Sequence, residues 1–274
     1  MSLIERTHHQ GVTTLRMNHP KKLNGWTQSM MDALRDGMAA ADADPATKVL
    51  VLTGTDPYYS AGVNLAGTLG LAHPRELHAQ IIEHNQALFE QFLGFSKPLI
   101  AAVNGPAIGA VVTSATLCDA IVASERATFS TPFARLGVTP EGCSSVLFEK
   151  LMSARNAQRM LGPEGWVPDA REAKEAGLID QVVPHDELAS AAQTLGERWI
   201  TAGRKRVFKG GMSVDALRAI NARESRELAD AFLDVPFLMG QYRFLRKKGK
   251  RRMAVLFWTL ARTRPLWSRM LDQA

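Results

Sequence analysis

The chain has 274 residues, of which 46% are hydrophobic and 22% charged, a balance typical of a globular protein with one large domain or a core with a small appendage. No uncharged stretch has the length needed to span a bilayer, and residues 1–11 contain an acid and no apolar run of signal-peptide length. These features argue against a membrane-spanning protein and predict a cytoplasmic one. Two cysteines are too few for a disulfide framework.

The formal net charge of +6 is concentrated at the C-terminal end. From Arg243 onward the sequence holds ten Lys or Arg residues and one acid, Asp272, which is a net charge of +9. Residues 1–242 therefore carry −3, since 6 − 9 = −3. The basic character belongs to the tail, so it gives no reason to expect that the body of the protein binds a specific nucleic acid.

The first part of the chain alternates between strand and helix patterns. Residues 12–17 predict a strand, residues 29–43 a helix with apolar side chains at helical spacing, and residues 49–53 a buried strand ended by Gly54. Strand, helix and strand in this order imply parallel pairing through a crossover. The basic turn Pro20–Asn24 is, by itself, equally typical of a solvated loop.

Two loops rich in small residues flank a helix that we predict over residues 74–92. The first loop, Tyr59–Leu65, contains small residues that allow backbone to approach a ligand closely. The second follows a buried strand at residues 98–103 and leads into a helix at Gly109. A helix that begins on a glycine turn offers unpaired N–H groups to a developing anion. Taken alone, however, each loop is more typical of a turn that closes a strand.

Glu141 lies in a Pro/Gly turn with apolar neighbours such as Leu136 and Val138. Burial there raises the pKa of a carboxylic acid toward the range useful for proton transfer. On this pattern alone a solvated turn glutamate is the better interpretation, because turns are usually surface features.

The sequence signals neither a metal nor a nucleotide site. His73, His78 and His84 have no spacing suited to metal ligation, and HExxH, CxxC, GxGxxG and P-loop motifs are absent. We therefore expect no metal and no separate cofactor.

The last part of the chain is predominantly helical. The patterns predict helices at 153–161, 169–175, 186–200 and 214–233, the last ended by Pro236, and a short strand at 178–184. Gly210 and Gly211 are the best candidate domain boundary. The apolar run Met253–Ala261, flanked by bases, suits either contact with an anionic membrane surface or packing on a neighbouring subunit, and we favour the subunit.

Three segments, NGPAIG, CDAIVASERATFSTPFARLG and TPEGCSS, resemble the enoyl-CoA hydratase/isomerase (crotonase) superfamily, and most of all its peroxisomal-type Δ3,Δ2-enoyl-CoA isomerases. The resemblance extends from about Leu3 to about Lys250. It implies an α/β crotonase (ClpP-like) fold, a superhelix of ββα turns with a helical C-terminal oligomerisation domain. We place the core with the acyl-CoA site at residues 1–200 and the helical domain with the basic tail at 201–274. The resemblance also implies a homo-oligomer, either a trimer or a dimer of trimers.

The same resemblance implies which residues form the active site. Glu141 becomes the catalytic acid/base, and the backbone N–H groups of Val63 and Ala110 become an oxyanion hole for the thioester oxygen. Coenzyme A is part of the acyl-CoA substrate. The implied substrate-binding residues are Lys21, Lys22, Leu23, Ala61, Gly62, Asn64, Leu65, Gly109, Phe133, Phe244, Lys247 and Lys248.

Two positions distinguish the reactions of this superfamily. Its hydratases use two glutamates, and the corresponding positions here are Thr113 and Phe133, neither of which acts as a general base at neutral pH. A single carboxylate suffices to move a proton from C2 to C4. We therefore predict an isomerase that converts a 3-enoyl-CoA into a trans-2-enoyl-CoA. The alternatives are a hydratase or another crotonase-family acyl-CoA enzyme, and a non-catalytic binder that acts through the basic tail.

Overall fold

The computed structural model describes residues 2–63, 73–268 and 271. Its strands are β1 (Ile4–His9), β2 (Val12–Met17), β3 (Val49–Gly54), β4 (Leu99–Val103), β5 (Ala107–Ile108), β6 (Ala120–Ser124), β7 (Phe129–Ser130) and β8 (Gln181–Val183). Its helices are α1 (Gln28–Ala43), α2 (Pro74–Leu93), α3 (Ala110–Thr116), α4 (Phe133–Leu136), α5 (Ser144–Leu161), α6 (Ala170–Ala176), α7 (Leu188–Thr201), α8 (Val214–Phe232), α9 (Val235–Lys247) and α10 (Arg251–Trp267).

The main sheet has the strand order β1-β2-β3-β4-β6-β8. β2 and β3 pair in parallel with α1 between them, so the predicted crossover is confirmed. The pairings of β3 with β4, β4 with β6 and β6 with β8 are parallel too. Only the β1–β2 hairpin is antiparallel among the described strands, and its first strand was not predicted. β1 is a polar edge strand whose side chains are almost all exposed, so it lacks the apolar alternation by which a strand is recognised.

The central strands are buried on both faces, because successive side chains of a strand point to opposite sides of the sheet. On one face, Leu50 and Leu52 pack with the apolar stripe of α1 in the largest hydrophobic core. On the other face, Val49 and Val51 pack against α7 in a smaller core that includes Trp199. This arrangement explains the uninterrupted apolar runs of β3, β4 and β6.

The C-terminal helices form a third apolar core. It joins α8, α9 and α10 to Leu77 and Ile81 of α2, so the C-terminal helices share a core with an earlier part of the chain. The mixed α/β architecture with a helical C-terminal region agrees with the expected fold class. The domain boundaries themselves stay a prediction.

Two predicted boundaries in this region were wrong. Pro236 does not end the 214–233 helix; α8 ends at Phe232, and Pro236 occupies the first turn of α9, where a missing N–H is not needed. The helix predicted at 153–161 is the second half of α5, which begins at Ser144 and is interrupted at Met152 and Ser153. In the described part of the chain, no helix is both long enough and apolar enough to cross a membrane.

Candidate functional site

A cavity of 660 Å³ lies between the largest core and the C-terminal helical core. Its walls come from the loop before residue 64, the start of α3, helix α2, the short α4 and one side of α8. Apolar side chains make up most of the lining, and a few polar groups converge on it, as in typical ligand sites.

The two small-residue loops lie against each other at this cavity. The Ile108 N–H donates a 3.1 Å hydrogen bond to the Ser60 carbonyl, and the Ser60 hydroxyl donates one of 2.7 Å to the Asn24 carbonyl. A side chain at Gly62 would clash with the Ile108 carbonyl, and the φ of Gly62 is +79°. Glycine at this position therefore allows the close approach of the loops.

Val63 and Ala110, which carry the two predicted N–H donors, both line the cavity. The Trp26 N–H donates to the Gly62 carbonyl at 2.8 Å and so fixes the peptide that carries the Val63 N–H. The Val112 N–H donates to the Gly109 carbonyl at 2.9 Å and fixes the peptide that carries the Ala110 N–H. Within residues 2–63, 73–268 and 271, neither N–H has an acceptor. Two such donors can bind an oxyanion.

Glu141 lines the same cavity, from the loop that joins α4 to α5. Its Oε2 accepts a 2.8 Å hydrogen bond from Nδ2 of Asn85, on α2. Burial raises the pKa of Glu141 to about 7; the nearby Glu224 carboxylate adds to the rise and the Asn85 hydrogen bond opposes it. A carboxyl with this pKa can both accept and return a proton at neutral pH.

The loop geometry that positions Glu141 depends on the next residue. Gly142 has φ +66°, and a Cβ there would lie 2.5 Å from the Phe89 ring and 2.7 Å from Oγ1 of Thr113. Ser144 Oγ donates a 2.7 Å hydrogen bond to the Glu141 carbonyl. The turn is thus packed tightly between α2 and α3, which explains why Glu141 is desolvated although it lies in a loop.

The positions that carry acids in family hydratases hold no acid here. Thr113 is fully buried and its Oγ1 donates to the Ala110 carbonyl at 3.1 Å, while Phe133 is 4% exposed and lines the cavity. Of the described residues that line the cavity, Glu141 is the only acid.

Two further residues near Glu141 were not identified from the sequence. Asn85 lies 56 positions before Glu141 in the chain. Glu224, on α8, is fully buried beneath the loop and accepts hydrogen bonds from the N–H groups of Cys143 and Ser145. In the sequence both are ordinary polar residues of amphipathic helices, and no local pattern marks them.

The expected substrate-binding residues fall into three groups. Ala61, Gly62, Gly109 and Phe133 line the cavity. A second group, Lys21, Lys22 and Leu23, is exposed in and just after the 3₁₀ turn Pro20–Lys22 and does not line the cavity. The third group, Phe244, Lys247 and Lys248, is exposed on or just after α9 and does not line the cavity either. The basic turn adjoins the site, since the Ala61 N–H donates to the Leu23 carbonyl at 2.9 Å. Asn64 and Leu65 lie outside the described residues. The binding roles of all these residues stay predictions.

The sequence resembles curated proteins of one family. It is 35% identical over 253 residues to human enoyl-CoA delta isomerase 2, covering 89% of this chain and 63% of that protein. It is 37% identical over 191 residues to the peroxisomal enoyl-CoA delta isomerase 3 of Mus musculus, covering 69% and 59%. With Escherichia coli 2,3-dehydroadipyl-CoA hydratase the identity is 32% over 199 residues, covering 72% and 76%. The chain thus spans about 60% of the length of the two isomerases.

Solved structures show the same fold. An enoyl-CoA hydratase/isomerase from Pseudoalteromonas atlantica superimposes with a TM-score of 0.76 at 24% identity, covering 89% of this chain and 97% of that one. A putative enoyl-CoA hydratase/carnithine racemase from Magnetospirillum magneticum gives 0.63 at 30% identity, covering 72% and 76%. The family model described as enoyl-CoA hydratase/isomerase matches residues 7–247. The chain therefore belongs to the enoyl-CoA hydratase/isomerase family.

Proposed function

We propose that this protein is an enoyl-CoA isomerase that converts a 3-enoyl-CoA into the trans-2-enoyl-CoA. The observation that supports this most strongly is the single acid of the described cavity lining, Glu141, whose pKa is raised to about 7, in the same cavity as two unpaired backbone N–H groups. A base and an oxyanion hole in one apolar site are what enolisation of a thioester requires.

In this mechanism the thioester oxygen lies between the N–H groups of Val63 and Ala110. Glu141 removes a proton from C2, and the negative charge moves to the thioester oxygen as a dienolate held by the two N–H groups. The protonated Glu141 then delivers the proton to C4, so the double bond ends between C2 and C3. Asn85 occupies Oε2 of Glu141 and leaves Oε1 to accept the proton.

Isomerisation fits this cavity better than hydration does. A hydratase has to hold and activate a water molecule, for which the family uses two carboxylates, whereas the corresponding positions here hold Thr113 and Phe133. The phenyl ring of Phe133 in the wall helps to keep water away from the dienolate. The two isomerases compared above are also more similar to this chain than the E. coli hydratase is, at 35–37% against 32% identity.

In our proposal, the coenzyme A part of the substrate binds near the lysines that lie outside the cavity. Lys21 and Lys22 lie next to the loop that carries Val63, where they can meet phosphates. Phe244, Lys247 and Lys248 are exposed, as groups that receive an adenine and its phosphate must be.

The exposed apolar side chains of α9 and α10 support a homo-oligomer, a trimer or a dimer of trimers. Phe244, Val255, Trp258 and Leu266 are each at least 40% exposed in the single chain. Sedimentation at micromolar concentration measures this directly, and a single-chain species would contradict it.

The reaction is tested by giving the purified protein a 3-enoyl-CoA and, separately, a 2-enoyl-CoA. We expect conversion of the first to the trans-2-enoyl-CoA and no addition of water to the second. Accumulation of a 3-hydroxyacyl-CoA from the 2-enoyl substrate would show that the protein is a hydratase. Inertness toward every enoyl-CoA would favour a non-catalytic role.

A further inference from the structure

Glu224 is a second carboxyl next to the Glu141 loop, but it does not line the cavity. Its side chain, on α8, is fully buried. Its Oε2 accepts a 2.6 Å hydrogen bond from the Cys143 N–H, and its Oε1 accepts one of 2.9 Å from the Ser145 N–H. The two oxygens therefore bind the amides on either side of Ser144, which belong to the second and fourth residues after Glu141.

These amides belong to the first turn of α5, where N–H groups lack partners within the helix. The residue at the N-cap, Cys143, has φ +65° and supplies no capping side chain. Glu224 replaces the missing cap from a different helix, 81 positions away from Cys143. The start of α5, and with it the turn at Glu141, is thus held by one carboxylate from α8.

The charges around the two carboxyls are few. The cation nearest to Glu224 in the chain is Arg223, which donates to Ser145 Oγ at 3.0 Å and pairs with Glu227 at 3.6 Å. Cys143 Sγ donates to the Leu217 carbonyl. The other titratable groups of the described cavity lining are His84, bonded to the Gln80 carbonyl, and Arg35, paired with Asp32. Arg223 lowers the pKa of Glu224 electrostatically without forming an ion pair with it, and no cation among the residues that the structure describes forms an ion pair with Glu141 or Glu224.

We propose that Glu224 is a positioning residue for the isomerisation: it fixes the Glu141–Ser145 loop through two amide hydrogen bonds and, when ionised, places a negative charge near Glu141. The proposal rests on the proposed function, in which Glu141 is the base. Burial favours the protonated form of Glu224 and raises its pKa to about 7, and its carboxylate contributes in turn to the raised pKa of Glu141. The two groups therefore titrate as a pair near neutral pH.

Three variants separate the charge from the hydrogen bonds. Glu224→Gln removes the charge and offers only one acceptor oxygen to two amides. Glu224→Asp keeps the charge but shortens the reach by one methylene. Asp215→Asn is the matched control: Asp215 lies on the same helix, its side chain is 89% exposed, and its ion pair is with Arg218 and not with Arg223, which contacts the loop.

The readout is the pH profile of kcat/KM for the isomerisation. For Glu224→Gln we expect kcat to fall roughly 10- to 100-fold, because a displaced base loses alignment, and the acidic limb to move to lower pH, because Glu141 loses a like charge. For Glu224→Asp we expect a similar loss with the acidic limb near its wild-type position. Asp215→Asn should match the wild type in both.

An unchanged kcat in Glu224→Gln, or a loss of kcat with an unmoved acidic limb, would overturn the proposal. Circular dichroism and melting curves show whether each variant is folded. If Glu224→Gln does not fold, Glu224→Asp alone decides, and a wild-type kcat in Glu224→Asp excludes the positioning role. In a Glu141→Gln background, Glu224→Gln should cause no further loss of kcat. A Glu141→Gln protein with full activity would contradict the proposed function, whereas the Glu224 results bear on the positioning role alone.

Discussion

At the scale of single residues, the pKa of Glu141 depends on groups that are remote in sequence. The turn that holds it, with Pro140 before and Gly142 after, can be predicted from the sequence, whereas its raised pKa cannot, because the pattern alone favours a solvated turn glutamate. The partners that adjust this pKa, Asn85 and Glu224, come from α2 and α8. Their positions depend on how two long helices pack beside the loop, and a single sequence contains no local signal for that.

At this scale we predict the effect of Asn85→Ala on the pH profile of the isomerisation. The Asn85 hydrogen bond lowers the pKa of Glu141, so its loss should raise that pKa and move the acidic limb of kcat/KM to higher pH, the direction opposite to that expected for Glu224→Gln. We also expect kcat to fall about tenfold, since a positioned group is worth this much or more.

The control for Asn85→Ala is His84→Ala, at the neighbouring position of α2. His84 lines the cavity but its ring nitrogen bonds the Gln80 carbonyl instead of Glu141. The His84→Ala variant should therefore leave the acidic limb of kcat/KM at its wild-type pH. An acidic limb that stays fixed in Asn85→Ala, or that moves to lower pH, would contradict the role given to this hydrogen bond.

At the scale of elements, strong periodicity predicted helices and buried strands well. The apolar stripe of residues 29–43 became α1 (Gln28–Ala43), and the pattern of 214–233 became α8 within one residue. The failures have physical reasons: β1 is polar, and β5 and β7 have two residues each, too few to show any period. Yet β5 places Ile108 against the first loop, so an element without a sequence signal helps to build the site.

The helices α9 and α10 form the most basic part of the chain. From Val235 to Trp267 the sequence contains nine Lys or Arg residues and no acid. Removing α10 would expose apolar side chains that are buried in the C-terminal core, among them Phe257 and Ala261, so a truncation would mix charge with stability. Substitution of exposed Lys or Arg residues therefore tests the role of the tail's charge more cleanly than truncation does.

For the double variant Arg251→Glu/Arg252→Glu we expect kcat to stay within about twofold of the wild type, because these side chains are exposed at the start of α10 and do not line the cavity. Binding to a polyanion such as heparin, measured against salt concentration, should weaken and show a shallower salt dependence. Loss of isomerisation with unchanged polyanion binding would contradict the view that the tail is accessory to catalysis.

At the scale of the whole molecule, the site lies between two hydrophobic cores. Trp26 and Val63 belong to the largest core, Leu77 and Phe232 to the C-terminal one, and all four line the cavity. The fold class could be predicted from the motifs, which also single out Glu141, whose catalytic role stays a prediction. The cavity could not, because it is created by the packing of α2 and α8 over the loops and depends on contacts more than a hundred residues apart in the chain.

Two carboxyls with raised pKa values, the half-buried Glu141 and the buried Glu224, make stability depend on pH. The pKa values of Glu141 and Glu224 rise from 4.5 to about 7 in the folded protein, so between these limits the folded chain binds more protons than the unfolded chain. The free energy of unfolding then falls as pH rises through this window and levels off above it. We expect the melting temperature to drop by on the order of a few degrees between pH 5 and pH 8.

Glu141→Gln and Glu224→Gln should each reduce this drop, because each removes one of the two titrations. Calorimetry at closely spaced pH values measures the effect. A melting temperature that rises steadily over the same window in the wild type would mean that the two groups are not kept protonated by burial.

The proposed mechanism depends above all on Glu141 as the group that moves the proton. The most direct measurement is the rate at which wild type and Glu141→Gln convert a 3-enoyl-CoA into the trans-2-enoyl-CoA, with Glu149→Gln, an exposed acid on α5, as the control. We predict a loss of at least about a hundredfold in kcat for a folded Glu141→Gln protein, since the amide can neither accept nor return the proton, and a wild-type rate for Glu149→Gln. A Glu141→Gln protein that isomerises at the wild-type rate would contradict the account.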